Sequence, residues 1–258
     1  MKIVVIGGSG LIGKKLVSKL REHEHEAIAA SRSSGVNAVT GEGLAEVLVG
    51  VQVVVDVTSS PSFEDGAVLE FFSKSTQNLL AAEANAGVGH HIAISIVGVD
   101  RIPDSGYMRA KVAQEQLIQS AAIPYTILRA TQFFEFIETI IAQFPTDGQT
   151  VHLPPALIQP IWSEDVVDAL VEITLGVPVN DIIDVGGPER FRFEEITRQF
   201  LSATQDTRQV VVDSHARYFG ASLSDQLVPE GNSRIGSTRF EDWLNRSISS
   251  KSALNYHC

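Results

Sequence analysis

Cysteine is almost missing from the 258 residues, and the one present, Cys258, stands last. That excludes an intrachain disulfide framework and any cluster of thiolate metal ligands, and it leaves Cys258 as a tail thiol without a role. A positive charge balance is missing too. The formal net charge is −11, with no cluster of Lys and Arg. This argues against nucleic-acid backbones and anionic membranes as partners, because both call for a positive face. No apolar run reaches the length needed to span a bilayer. The apolar start is too short for a secretory signal and is followed by no small-residue cleavage site, so the expected location is the cytoplasm. Fixed-period repeats and low-complexity tracts are also lacking.

What remains is an ordinary globular composition, 44% hydrophobic and 20% charged, long enough to bury a sizeable core with an added lobe. The chain opens on Ile3-Val4-Val5-Ile6, too short for a helix and rich in β-branched residues, so it reads as a buried strand. Gly7, Gly10 and Gly13 follow at G-x-x-G-x-x-G spacing, and an amphipathic run from Leu11-Ile12 to Leu20 comes next. Gly8, Gly10 and Gly13 also spell G-x-G-x-x-G; the longer motif is preferred because Gly7 directly follows the strand. A strand, a glycine turn and a helix are the context in which such spacing means dinucleotide binding. Gly7 turns the chain, Gly10 admits a pyrophosphate and Gly13 lets helix and strand pack closely. The helix start favours an anion, with Ser9, Leu11 and Ile12 beside it.

A second strand over Ala27 to Ala30 ends in Ser31-Arg32-Ser33-Ser34-Gly35. An acidic residue at that strand end reads the ribose 2′-hydroxyl of NAD, whereas an Arg accommodates the 2′-phosphate of NADP. Here the acid is absent, and Arg32, flanked by Ser31 and Ser33, points to NADP(H). The preceding His23-Glu24-His25 alternation reads as a solvated helix end, and no metal site is expected.

Further along, a short third strand is expected at Val36 to Thr40, a small helix at Gly43 to Val49, and a strong strand at Gln52 to Val57 whose polar end, from Thr58, faces the cofactor. A long helix spans Ala67 to Ala86 and closes at Gly87. Strands at His91 to Val97 and Tyr125 to Leu128 flank a helix over Tyr107 to Ala121. This alternation gives an α/β fold, a Rossmann-type doubly wound parallel sheet. Residues 1–130 form its core, with 181–187 returning to the sheet, and 131–258 mainly a smaller C-terminal substrate lobe. In that half a helix is expected over Thr131 to Phe144, loop over Pro145 to Pro160, and a helix through Leu175 capped by Ser163. Asp181 to Val185 and Gln209 to Val212 read as strands, and Phe193 to Phe200 and Arg239 to Leu244 as helices.

Tyr107 and Lys111 stand four apart on a predicted helix, hence on one face. A nearby ammonium lowers a phenol's pKa, and Lys111 is also suited to ribose hydroxyls. Ser95, on the preceding strand, can orient a carbonyl that the phenol protonates. Phe133, Phe134 and Phe136 either line an apolar pocket or pack as core; Trp162 and His152 are weaker candidates for the same cavity.

The glycine motif, Arg32, Thr76-Gln77-Asn78-Leu79-Leu80-Ala81-Ala82 and Gly87-Val88-x-His90 resemble the extended and atypical short-chain dehydrogenase/reductases. Leu128-Arg129-Ala130-Thr131-x-Phe133 is similar to the NmrA-like branch, which includes NADPH-dependent quinone reductases and redox-sensing regulators. The resemblance implies Ser95, Tyr107 and Lys111 as the catalytic set, although a one-residue slip would put Ile96 in place of Ser95. An asparagine of some members is replaced, by Phe72. The resulting expectation is an NADPH-dependent oxidoreductase reducing a small apolar carbonyl or quinone, with a homo-oligomer admissible. The alternatives are a non-catalytic NADP(H)-sensing protein that binds a partner, and an epimerase or lyase.

Overall fold

A computed structural model describes residues 1–255, with side chains through Ser249, so Cys258 lies outside the described residues. The first half alternates strand and helix: β1 (Lys2–Ile6), α1 (Leu11–Glu22), β2 (Glu26–Ala30), α2 (Leu44–Val47), β3 (Val53–Asp56), α3 (Asp65–Ala86), β4 (His90–Ile96), α4 (Gly106–Ser120) and β5 (Tyr125–Ala130). The second half is broken into smaller pieces: α5 (Ile137–Ala142), β6 (Thr150–Leu153), β7 (Leu157–Ile158), α6 (Ser163–Leu175), β8 (Asp181–Gly186), β9 (Phe191–Arg192), α7 (Phe193–Ala203), β10 (Gln209–Val212), β11 (Arg234–Ile235) and α8 (Phe240–Asn255).

Seven strands form one parallel sheet in the order β11-β8-β5-β4-β3-β1-β2. Alternation along β1 shows why both faces are covered. Ile3 and Val5 pack into the core shared with α1 and α6, while Val4 and Ile6 pack with Leu44, Leu48 and Leu79 on the opposite face. The chain leaves β1 toward β2 and then crosses back to β3, so the strand order reverses beside β1. Ligands of open parallel sheets bind at such a switch point, beyond the strand carboxyl ends.

The short strand expected at Val36 to Thr40 does not form. Gly35, Gly41 and Gly43 all adopt positive φ and bend the segment into a loop closed by an Asn37–Glu42 bridge. The Asn78 side chain of α3 then takes the carbonyls of Ala38 and Val39, at 3.0 and 2.8 Å, and the sheet ends at β2. Ser163 is the first residue of α6 rather than its cap, which is Trp162; its hydroxyl instead accepts from Lys15 at 2.7 Å and donates to Glu135. Only part of Thr131 to Phe144 is α-helical, because a tight turn at Phe134–Phe136 precedes α5. The segment expected to be loop from Pro145 to Pro160 contains β6 and β7, paired with β10 and β9.

The lobe has its own core, built from α5, α7, α8 and the short strands around Phe134, Phe144, Phe193 and Phe240. Residues 163–175 side with the sheet, since α6 packs on α1.

One buried pair ties α3 to the sheet. His91 on β4 and Glu83 on α3 are both fully buried and meet at 2.9 Å. Glu83 holds the His91 imidazole above its ordinary value of 6.5, although burial opposes the shift. His90, on the other face, bonds Thr126 at 2.9 Å and is pushed down to about 4 by burial. Replacing His91 by Leu strands a buried carboxylate, a loss of about 3–5 kcal/mol, readable in urea or thermal unfolding. Because the folded value is raised, the His91 contribution is complete below the unfolded pKa and fades as pH rises through the folded one. The gap between wild type and His91→Leu is therefore expected to narrow on the alkaline side.

Candidate functional site

Gly7 turns the chain at the end of β1 with φ +83°, and a Cβ there would sit 2.8 Å from the Val57 carbonyl oxygen. Gly13 lies beneath that turn: its Cβ would stand 2.3 Å from the Gly7 oxygen and 2.6 Å from the Gly8 Cα. These approaches bring α1 up against the loop so that its first turn opens on the switch point. Gly10 caps α1 with no side-chain hydrogen bond, and the first turn carries no acidic residue. Its N–H groups and dipole thus face the cleft uncontested by a carboxylate, an arrangement that holds phosphate.

The cleft has a volume of about 1070 Å³. Near its β2 end stand Ser31, Arg32 and Ser33, in a short turn held by Ser34 Oγ, which accepts from the Ser31 N–H at 2.9 Å and donates to the Ser31 carbonyl. Among the described residues Arg32 is exposed and forms no ion pair within the chain. Its middle is lined by Gly7, Ser9, Gly10, Leu11, Ile12 and Thr58. At the far end are Ser95, Tyr107 and Lys111. Of the residues expected to bind the cofactor or act in catalysis only Gly13 is not on the wall; it shapes the turn from behind.

Lys111 is buried and its Nζ donates to the Ile94 carbonyl at 2.8 Å and to Gln114 Oε1. Gln114 in turn donates to Asp56 at 3.0 Å. The ammonium also lies 4.5 Å above the Phe72 ring, so the residue expected in place of an asparagine supports the cation through its π face. Burial pushes the Lys111 amine down to about 8, against the pull of Asp56 and Glu115. Tyr107 does not show the lowered value expected from its spacing. Burial pushes the phenol up, with only a contact to Ser59 opposing, because the Lys111 charge is spent on Asp56, Gln114 and Ile94. A raised phenol stays protonated at neutral pH and is a proton donor rather than a base. α4 itself is pinned to β5 by Arg129, which grips Glu115 at 2.9 and 2.6 Å and Asp100 at 3.1 Å.

The far end is largely aromatic. Phe133 and Phe136 stack at 5.6 Å and line it, whereas Phe134 and Phe144 are core. Trp162 and His152 do not reach it: Trp162 lies beneath Lys15 and Arg246, and His152 faces Asp147 and Asp213. The sequence reading missed Asp56, Gln114, Gln132, Phe63, Tyr218 and Phe219. A signal existed for two of them: an Asp closing an apolar strand, and a Gln one helical turn beyond Lys111.

Tyr218 and Phe219 reach the cleft from the lobe on a turn in which Phe219 has φ +47°, a strained setting for a bulky side chain worth about 1–3 kcal/mol. The hydroxyls of Thr58, Ser95 and Thr131 and both amide atoms of Gln132 are buried on this cleft without hydrogen bonds.

A glycine turn with no room for a Cβ, an uncapped helix start, a free guanidinium at the β2 end and orphaned hydroxyls further along define a site shaped for a dinucleotide. Residues 7–173 match the family described as NAD(P)H-binding, and the chain belongs to that family. It is 24% identical over 165 residues to the photosystem II assembly factor Ycf39 of Cyanophora paradoxa, covering 58% of this chain and 51% of that protein. It is also 24% identical over 224 residues to the chloroplastic divinyl chlorophyllide a 8-vinyl-reductase of Cucumis sativus, covering 72% of this chain and 52% of the reductase. The chain thus spans about half the length of these curated relatives. In fold it resembles MoeE5 in complex with UDP-glucose and NAD, with TM-score 0.78, 19% identity, and 98% and 100% of the two chains covered. It likewise resembles a dTDP-4-dehydrorhamnose reductase from Bacillus anthracis in complex with NADP, with TM-score 0.73, 14% identity, and 96% and 99% covered. Among the described residues no helix is long and apolar enough to cross a membrane, and no group of three or more His, Cys, Asp or Glu is arranged to hold a metal ion.

Two glycine substitutions separate folding from binding. Gly13→Ala drives a methyl into backbone and is expected to destabilise by about 1–3 kcal/mol while also displacing the turn. Gly10→Ala meets one atom, at 3.3 Å, and is expected to fold within about 1 kcal/mol of wild type yet to weaken nucleotide binding tenfold or more. Thermal melts and calorimetric titration with NADP⁺ check both.

Proposed function

We propose that the protein is an NADPH-dependent reductase of a small apolar carbonyl or quinone. The observation that carries this reading is the convergence of Tyr107, Lys111 and an orphaned, buried Ser95 hydroxyl on the aromatic end of a dinucleotide cleft. Bound NADPH would supply a hydride to the carbonyl carbon. Tyr107 gives its phenolic proton to the carbonyl oxygen as the π pair collapses onto it, and the tyrosinate regains a proton from solvent. Ser95 donates a hydrogen bond to the same oxygen and orients it. Lys111 holds the ribose and steadies the tyrosinate once a bound nucleotide draws the amine toward it. At the other end, Gly7 and Gly10 admit the diphosphate to the start of α1, and Arg32 with Ser31 and Ser33 takes the 2′-phosphate. The aromatic wall excludes water from the reacting carbon.

A second reading is a non-catalytic NADP(H)-responsive protein that binds a partner, favoured by the relatives named as assembly factors. It predicts no NADPH consumption on any carbonyl or quinone, and a purified-protein screen against such a panel decides between the two.

Tyr107→Phe is expected to lower kcat by about 10²–10⁴-fold while leaving NADPH affinity close to wild type; an unchanged rate would remove the tyrosine from the chemistry. Arg32→Asp deletes a charged contact worth about 1.5–3 kcal/mol and is expected to shift preference from NADP(H) to NAD(H) by roughly ten- to more than a hundredfold, read from the two dissociation constants.

A further inference from the structure

The turn that brings Tyr218 and Phe219 to the cleft breaks the local rule for its own shape. Tyr218 and Ala221 exchange two backbone hydrogen bonds, 2.8 and 3.0 Å, across Phe219-Gly220. Both loop residues have positive φ, +47° and +85°, the mark of a type I′ turn, in which Asn, Asp or Gly is the favoured first residue. Phe219 is only half-buried and packs at the edge of the lobe core. Its ring is also 6.1 Å from Tyr107 and 5.5 Å from Phe63, and Phe63 is 5.7 Å from Tyr107. Phe63 itself is 57% exposed. Two loops from opposite sides of the cleft thus meet in a three-ring cluster at the tyrosine.

Tyr218 is held by Phe144 and Phe193 at 6.2 Å each and by Phe219 at 4.7 Å, so its orientation is set by packing. Its phenol is close enough to Tyr107 and to the Gln132 carboxamide for both to influence its ionisation. Neither amide atom of Gln132 completes a hydrogen bond, although the residue is 8% exposed. A monofunctional carbonyl occupied by Tyr107 and Ser95 leaves this second polar group unused. Local rules yield at functional positions, and unpaired buried amides call for a ligand that pairs them.

We propose that the Tyr218-Phe219 turn and Gln132 form a recognition element for a planar ring that carries a second oxygen besides the reacting carbonyl. Phe219 and Phe63 take the ring, for which offset or edge contacts between aromatic groups are favourable. Tyr218 and Gln132 hydrogen-bond the second oxygen. This assignment rests on the reductase reading for the word "reacting" but concerns binding, and the two fail separately.

The test compares matched rings. Turnover of 1,4-naphthoquinone is set against 1-naphthaldehyde, and hydroxybenzaldehydes against benzaldehyde. Anaerobic calorimetry in the presence of NADP⁺ sets 1,4-dihydroxynaphthalene against 1-naphthol. Wild type is expected to favour the two-oxygen member of each pair about tenfold, and Tyr218→Phe and Gln132→Leu each to bring that ratio near one. Phe219→Asn suits the turn better, so its melting temperature is expected to hold or rise while ring ligands of both kinds bind about tenfold more weakly. Undiminished discrimination in both polar variants overturns the proposal, as does a Phe219→Asn that loses stability but not ligand. A Gln132→Leu that loses affinity for NADP⁺ but not for 2′-phospho-ADP-ribose also overturns it, by assigning the amide to the nicotinamide. If no carbonyl is turned over yet the calorimetric preference and its loss are seen, the reductase reading fails and the recognition element stands.

Discussion

The 2.3 Å that would separate a Gly13 Cβ from the Gly7 carbonyl oxygen is the constraint on which the rest of the site depends. Because no side chain intervenes, α1 lies directly on the turn leaving β1, and its free N–H groups open on the switch point of the sheet. From there the positions of the other groups are set by strand order alone. β2 lies to one side and presents Arg32 at its tip; β3, β4 and β5 lie to the other and present Thr58, Ser95 and Thr131 in turn. A ligand that reaches from the end of β2 to the end of β4 is long, and its middle lies against the start of α1.

The second determinant is how the fold keeps an amine in its interior. Lys111 has its charge shared among a carbonyl, a carboxamide and an aromatic face, with Asp56 behind Gln114. Such sharing holds the amine in place at the cost of its influence on Tyr107, whose phenol is governed by burial. A ribose hydroxyl between the two would reconnect them. The same economy of charge appears at Arg129, which is shared between Glu115 and Asp100 and so fixes α4, the helix that carries both Tyr107 and Lys111, against β5.

How much of this was legible in the sequence follows from which contacts are local. The β1 turn, Arg32 at the tip of β2, and the Tyr107/Lys111 pair each depend on a run of a dozen residues or fewer, and the sheet follows from unbroken apolar strands. The Val36 to Thr40 segment departs from the expected strand because its conformation is decided by glycine φ angles and by Asn78, some forty residues away. Gln132, Phe63, Tyr218 and Phe219 carry no pattern; they meet only because the lobe folds back across the cleft. Likewise the raised pKa of Tyr107 reflects desolvation by that aromatic cover, which spacing on a helix cannot report.

That distinction also bears on what a shared fold says about the ligand. Solved neighbours hold UDP-glucose and UDP-glucuronic acid, yet at these identities the likeness is one of fold, and function resides in the site. The charged side chains lining the described cleft are Arg32 and Lys111, the two that the proposed function gives to the dinucleotide. A second nucleotide diphosphate would meet Phe63, Phe133, Phe136 and Phe219 instead, leaving its phosphates without a cation. Desolvating such groups without hydrogen bonds is unfavourable by several kcal/mol apiece, about 2–7 on transfer scales, more than ring contacts can offset. A compact, flat and mostly apolar molecule meets no such penalty, and it is this contrast in the composition of the wall that supports the proposed substrate class.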